Sequence, residues 1–115
     1  MNDWPESRTI RLMADYECHP LWLSGPQAGD IAPDDPRLGL SSKLAERLSD
    51  WADEYDGILC VDDPVSSGFS SPETELAFYR VGEELAVLLA QELGRTWTVT
   101  YRDGRIGADR VISAP

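Results

Sequence analysis

Alternating hydrophobic and polar positions predict strands near both ends of the chain. In residues 9–18 every second side chain is apolar, while most positions between them are polar. A period of two is typical of a strand with one face on a core and the other in water. Residues 97–102 alternate in the same way. The pair Asp103 and Gly104 then predicts a turn, and residues 105–112 a weaker returning strand.

Apolar residues spaced three or four positions apart predict two helices in the middle of the chain. The first begins at Ser41 or Ser42, whose hydroxyl can cap the free amides, and ends at Gly57, which we expect to be left-handed. The second begins at Ser71, which is followed by proline, and ends before Gly94.

Gly82 lies inside the second predicted helix, where glycine costs about 1 kcal/mol relative to alanine. We therefore expect a close approach at this position, most simply by the first helix.

The segments between these elements are rich in residues that break regular structure. Residues 19–39 contain four prolines and three glycines, which predicts a long loop without any regular element. Residues 58–61 form a short apolar run that predicts a strand or a buried crossing, and residues 62–70 predict a second loop.

This order of elements predicts a two-layer α+β domain in which two main helices pack on a small mixed β-sheet. We expect the strands near the two ends to pair with each other or with residues 58–61, because lone strands are not stable. The chain of 115 residues, 42% of them hydrophobic, is long enough to bury a core, and we expect residues 1–115 to form a single domain.

The net charge of −11 argues against several classes of partner. Such a charge repels phosphate backbones and anionic lipid, so we expect neither nucleic acid nor a membrane as partner. No basic segment leads into an apolar run at the N-terminus, and no apolar stretch is long enough to span a bilayer. We therefore expect a cytoplasmic protein.

Candidate catalytic and metal-binding residues are few. Cys18 and Cys60 are expected to be free thiols in a reducing compartment. Cys18 and His19 could form a nucleophilic pair, but in a continuous strand their side chains would point to opposite faces. The cysteines and His19 match no zinc-site spacing, and the carboxylates of residues 53–63 lack the pattern of a calcium loop. We predict no cofactor and no enzyme, with a small enzyme or metal-binding domain that uses Cys18, His19 and nearby carboxylates as the alternative.

The acidic residues are concentrated in one segment. Residues 48–92 contain eleven acids and one base, Arg80. At the end of the first predicted helix, Asp53, Glu54 and Asp56 meet the negative end of the helix dipole, which is unfavourable. Residues that are locally unfavourable and have no evident stabilising role are typical of functional sites. We predict that these carboxylates bind a basic protein partner, and the alternative is a solvated acidic face.

Further residues extend this predicted interface. Asp62 and Asp63 continue the acidic segment along the chain, and Trp22 and Phe69 could supply aromatic anchors from the two loops. Each aromatic residue could equally pack on the core. Residues 85–90 are apolar on nearly every side of the second helix, which leaves a self-associating adaptor, and with it a homodimer, as another alternative.

The chain also resembles a known group of proteins. The resemblance lies in residues 11–16, 18–22, 51–56 and 62–69. These segments look like small acidic uncharacterised bacterial proteins, which in size and charge are similar to immunity proteins of polymorphic toxin systems. The resemblance implies a cytoplasmic inhibitor that binds a toxin domain and blocks its active site or a surface beside it.

Overall fold

The computed structural model describes residues 8–15, 17–23, 29–58, 69, 71–94, 97–104 and 107–112. Within these residues the elements are β1 (Arg8–Leu12), β2 (Leu21–Leu23), β3 (Gly29–Ile31), α1 (Ser42–Asp56), α2 (Pro72–Leu93), β4 (Trp97–Asp103) and β5 (Ala108–Ile112). No helix of this part of the chain is long and apolar enough to cross a membrane.

The strands form one mixed sheet in the order β3-β2-β1-β4-β5. The central pair, β1 and β4, is parallel, with Ile10 opposite Val99, and the other neighbours are antiparallel. Strands from the two ends of the chain therefore pair with each other, which is one of the two pairings that the sequence leaves open. The pairing also explains why both strands show a clean alternation, since each has one face on the core.

Both helices pack on the same face of the sheet. Side chains from strands and helices meet in a core whose fully buried members include Ile10, Leu12, Leu48, Leu85, Leu89, Val99 and Tyr101. The opposite face is more open: Val111 is 67% exposed there, and Asp109 lies between Arg11 and Arg102. The predicted two-layer α+β architecture is confirmed.

The helix ends follow the sequence signals with one exception. The Ser41 hydroxyl accepts a hydrogen bond from the N–H of Leu44, the Ser71 hydroxyl accepts one from the N–H of Thr74, and Gly94 ends α2 with a positive φ of 77°. The expectation of a left-handed Gly57 is wrong, because its φ is −64°. Its N–H still bonds the carbonyl of Asp53, so α1 ends in a further right-handed turn.

Two predictions about the strands are also wrong. The first strand ends at Leu12 instead of continuing to residue 18, and residues 19–39 contain β2 and β3. The N–H of Met13 bonds the carbonyl of Pro20, which extends the β1–β2 ladder and closes the connection as a hairpin. Prolines and glycines thus border these three-residue strands and do not prevent them.

The close approach predicted at Gly82 is confirmed. A β-carbon at this position would overlap the Trp51 ring of α1 and the Tyr101 hydroxyl of β4. The Trp51 indole N–H donates to the Phe78 carbonyl and the Tyr101 hydroxyl to the Tyr79 carbonyl, which fixes both rings beside the glycine. Of the predicted apolar run, residues 59–61 lie outside the described residues.

Candidate functional site: an acidic cavity at the end of α1

A cavity of about 320 Å³ lies between the last turns of α1 and the β1–β2 connection. Four carboxylate residues from three parts of the chain line it, and we call it the acidic cavity: Glu17, Asp30, Asp53 and Asp56. Glu17 comes from the β1–β2 connection, Asp30 from β3, and the other two from α1. The fold therefore gathers acids that are far apart in sequence.

Helix geometry decides which of the predicted α1 acids face this cavity. Asp53 and Asp56 are three positions apart, which places them on the same side of a helix, and both line the acidic cavity. Glu54 is exposed and does not line it. The carboxylates predicted as one group thus separate into a pair inside the cavity and one beside it.

Two of the four carboxylates also hold the β1–β2 connection in place. The backbone N–H of Glu17 donates to Asp56 Oδ1 at 2.7 Å, and the N–H of His19 donates to Asp30 Oδ2 at 2.8 Å. Glu17 has a φ of 61°, a left-handed conformation that is uncommon for a residue with a side chain. These bonds offset the strain and fix the turn against the end of α1.

Cations do not neutralise the cavity within the part of the chain that the structure describes. The ion pairs found there join Arg11 and Arg102 to Asp109, Arg37 to Asp35, and Arg110 to Glu83. Of these carboxylates only Glu83 belongs to the acidic segment of residues 48–92. Among the described residues, therefore, no cation is paired with the carboxylates that line the acidic cavity.

The Cys18 thiol lines the same cavity and is free. Partial burial, followed by the negative charges of Asp15, Asp30, Asp56 and Glu17, raises the pKa of this thiol. It stays protonated at neutral pH, whereas a nucleophilic cysteine needs a lowered pKa. Among the described residues, no three histidine, cysteine or carboxylate residues converge closely enough to hold a metal ion.

The two predicted aromatic anchors do not line the acidic cavity and are engaged with their own chain. Trp22 is half-buried in β2, and its indole N–H donates to the Met13 carbonyl at 3.0 Å. Phe69 packs against Phe78, with ring centroids 5.1 Å apart, and also contacts the rings of Tyr55 and Tyr79. Asp62 and Asp63 lie outside the described residues.

The apolar stretch at residues 85–90 contributes mainly to the core. Leu85, Ala86, Leu89 and Ala90 are buried, while Val87 and Leu88 are half-buried. Little of this stretch is left for self-association.

The sequence patterns do not predict Glu17 and Asp30 as residues of the site. The predicted strand through residue 18 places Glu17 on the solvent-exposed face of the sheet. The predicted loop over residues 19–39 has no regular element and so gives Asp30 no defined position. The signal available was the unusual length of the segment at residues 19–39, since long connections in small domains tend to carry function.

A model of the Serratia CdiI immunity protein-like family matches residues 8–104. The match spans β1 to β4 and includes every described element that lines the acidic cavity. A comparison with curated proteins found no match. The family agrees with the similarity to immunity proteins of toxin systems that the sequence indicates. The chain belongs to the Serratia CdiI immunity protein-like family.

Proposed function

We propose that this chain is a non-enzymatic, cytoplasmic immunity protein that neutralises a cognate bacterial toxin by binding it through the acidic cavity. Membership of an immunity protein family supports the toxin as partner. The observation that carries the binding surface is the convergence of Glu17, Asp30, Asp53 and Asp56 without a cation among the described residues. The toxin surface that fits such a site is basic.

The electrostatics of the cavity suit an inhibitor. Carboxylates gathered in a concave surface focus a negative potential, which speeds encounter with a positively charged protein. Lysine or arginine side chains of the toxin would form charge-assisted hydrogen bonds with these carboxylates. A toxin cleft that holds an anionic substrate would then be occluded by the bound chain.

The acids have different roles in this proposal. Asp53 forms no ion pair or side-chain hydrogen bond within the described residues, so its carboxylate, like that of Glu17, is available to a partner. Asp56 and Asp30 each already accept one backbone N–H and retain further acceptor positions. Glu54 lies beside the cavity and adds to its long-range potential.

The remaining predicted residues have a secondary place in the proposed interface. Asp62 and Asp63 follow α1 in the sequence and extend its negative charge. Trp22 and Phe69 are candidates for the rim, because their half-buried side chains retain only part of their surface for a partner.

Charge reversal at two neighbouring positions tests this proposal. The chain would be purified with the toxin domain encoded beside its gene, and the Kd measured at low and high salt for wild type, Asp53→Lys and Glu54→Lys. Both variants change the net charge equally, so both should lower the association rate. Asp53→Lys alone should also raise the dissociation rate, with a total loss of at least about 30-fold in affinity. In cells that produce the toxin, the Asp53→Lys variant should fail to restore growth.

The proposal is wrong if Asp53→Lys binds and protects like wild type. It is equally wrong if the two variants lose the same affinity through association alone, because the cavity would then have no direct contact with the toxin.

A further inference from the structure

A second concave surface adjoins the acidic cavity along α1. It has a volume of about 480 Å³, and we call it the flank groove. Ala32, Pro33, Ala45 and Glu46 line it, and it shares two further lining residues, His19 and Ser49, with the acidic cavity. The two spaces therefore adjoin each other beside α1, and we call them together the depression.

The two parts of this depression differ in chemistry. The flank groove has an apolar part, in which Pro33 and Ala45 are buried and Ala32 is half-buried, and two exposed carboxylate residues, Asp34 and Glu46, line it as well. The acidic cavity offers carboxylates instead. A ligand that fills both parts must present an apolar group at one end and a positive group at the other.

The length of the depression restricts the shape of that ligand. Ala45 and Asp53 are eight helical residues apart, which corresponds to about 12 Å along the axis of α1. An extended chain advances about 3.3 Å per residue and points alternate side chains to the same side, so residues four apart are separated by about 13 Å and face the same way. An extended segment of a partner thus matches the spacing with two side chains four positions apart.

We propose that the toxin inserts an extended segment along α1, with an apolar side chain in the flank groove and, four residues away, a lysine or arginine in the acidic cavity. This inference rests on the proposed function and specifies the part of the toxin that is recognised. Charge complementarity with Asp53 and Asp56 selects the basic residue, and the apolar part at Pro33 and Ala45 selects its companion.

Defined peptides test the spacing without the toxin. Two synthetic peptides would contain one leucine and one arginine in a background of serine and threonine, with these two residues four positions apart in one peptide and three in the other. In NMR titrations of the labelled chain, the four-residue peptide should shift the amide signals of Ala45, Ser49 and Asp53. It should bind about tenfold more tightly, because the other peptide can seat only one anchor. Equal binding, or shifts elsewhere on the chain, would overturn the inference.

A pair of tryptophan variants tests the same groove in the toxin complex. Ser49→Trp places a bulky side chain where the two spaces adjoin, whereas Thr98→Trp introduces the same side chain at an exposed position of β4. We expect Ser49→Trp to raise the Kd for the toxin by about tenfold or more, and Thr98→Trp to leave it unchanged. Circular dichroism of both variants checks that they fold, and the peptide titration remains decisive if Ser49→Trp does not.

The outcomes separate the two proposals. If Ser49→Trp binds the toxin like wild type while Asp53→Lys does not, the groove inference is overturned and the acidic cavity stands. If neither variant differs from wild type, both fall. A wild-type dimer in light scattering that Ser49→Trp converts to a monomer would assign the groove to a second copy of this chain and overturn the inference.

Discussion

The backbone N–H of Glu17 donates to the carboxylate of Asp56 at 2.7 Å, so a left-handed residue of the β1–β2 connection is fixed to the last turn of α1. This hydrogen bond compensates for the unfavourable position of the Asp56 carboxylate at the negative end of the helix dipole. Asp53, in the same turn, accepts no compensating side-chain hydrogen bond within the described residues. The two acids therefore differ in what their removal should do.

We expect Asp56→Ala to lower the free energy of unfolding by about 1 to 2 kcal/mol, because the Glu17 N–H loses a charged acceptor. Urea unfolding followed by circular dichroism measures this loss. Glu54→Ala removes a carboxylate from the same turn without removing a hydrogen bond, so it should leave stability unchanged or slightly raised. A loss of equal size in both variants would contradict the role assigned to Asp56.

We expect Asp53→Asn to raise the free energy of unfolding of the unbound chain by about 0.3 to 1 kcal/mol, since it relieves repulsion in the acidic cavity and at the helix end. Glu54→Gln is the matched control, because it removes only the unfavourable interaction with the helix dipole and should raise the free energy of unfolding by less. The difference should shrink at high salt, which screens the repulsion. An Asp53→Asn variant less stable than wild type would show that this carboxylate is a structural acceptor.

Gly82→Ala should destabilise the fold by about 1 to 3 kcal/mol, although alanine favours a helix by about 1 kcal/mol. The added β-carbon overlaps the Trp51 ring and the Tyr101 hydroxyl, which hydrogen bonds hold in place. Chemical denaturation gives the measurement. Gln91→Ala, at an exposed position of α2, should change stability by only a few tenths of a kcal/mol. A stabilising Gly82→Ala would mean that the packing around α2 adjusts freely.

The Cys18 thiol should alkylate slowly and show a reaction midpoint at higher pH in the folded chain than in urea. Its pKa is raised by partial burial and by neighbouring carboxylates, so the native state retains the proton after the unfolded state has lost it. The matching contribution to stability is present below the unfolded pKa and is lost as the pH rises through the native value. Iodoacetamide kinetics in a Cys60→Ser background follow the one remaining thiol. Equal midpoints in the two states would refute the shift.

Local patterns predict the core of this fold well. The alternation around Ile10 and Val99 and the spacing of apolar residues in α1 and α2 reflect which side chains leave water, and the structure buries most of these positions. Val81 of α2, which the spacing also places on the inner side, is instead 38% exposed. The capping hydroxyls of Ser41 and Ser71 satisfy amides that any helix start leaves free. The unfavourable position of Gly82 inside a helix is also informative, because it predicts the close contact with Trp51 and Tyr101.

The acidic cavity could be predicted only in part. Asp53 and Asp56 follow from charge at a helix end, but Glu17 and Asp30 reach them through a hairpin whose turn depends on tertiary hydrogen bonds. A left-handed glutamate has no local sequence signal, since its conformation is held by an aspartate 39 positions away. The two short strands β2 and β3 likewise depend on pairing with β1 more than on their own composition.

The parallel ladder that joins Arg8–Leu12 to Trp97–Asp103 sets a condition on biosynthesis. A ribosome must synthesise the chain through Asp103 before the central strand acquires its second neighbour, so a product that ends before β4 lacks the strand against which β1 is paired. Under the proposed function, protection of the producing cell would then begin only after β4 has been made. Contacts between such distant segments also slow folding, which favours making the protective protein ahead of its toxin.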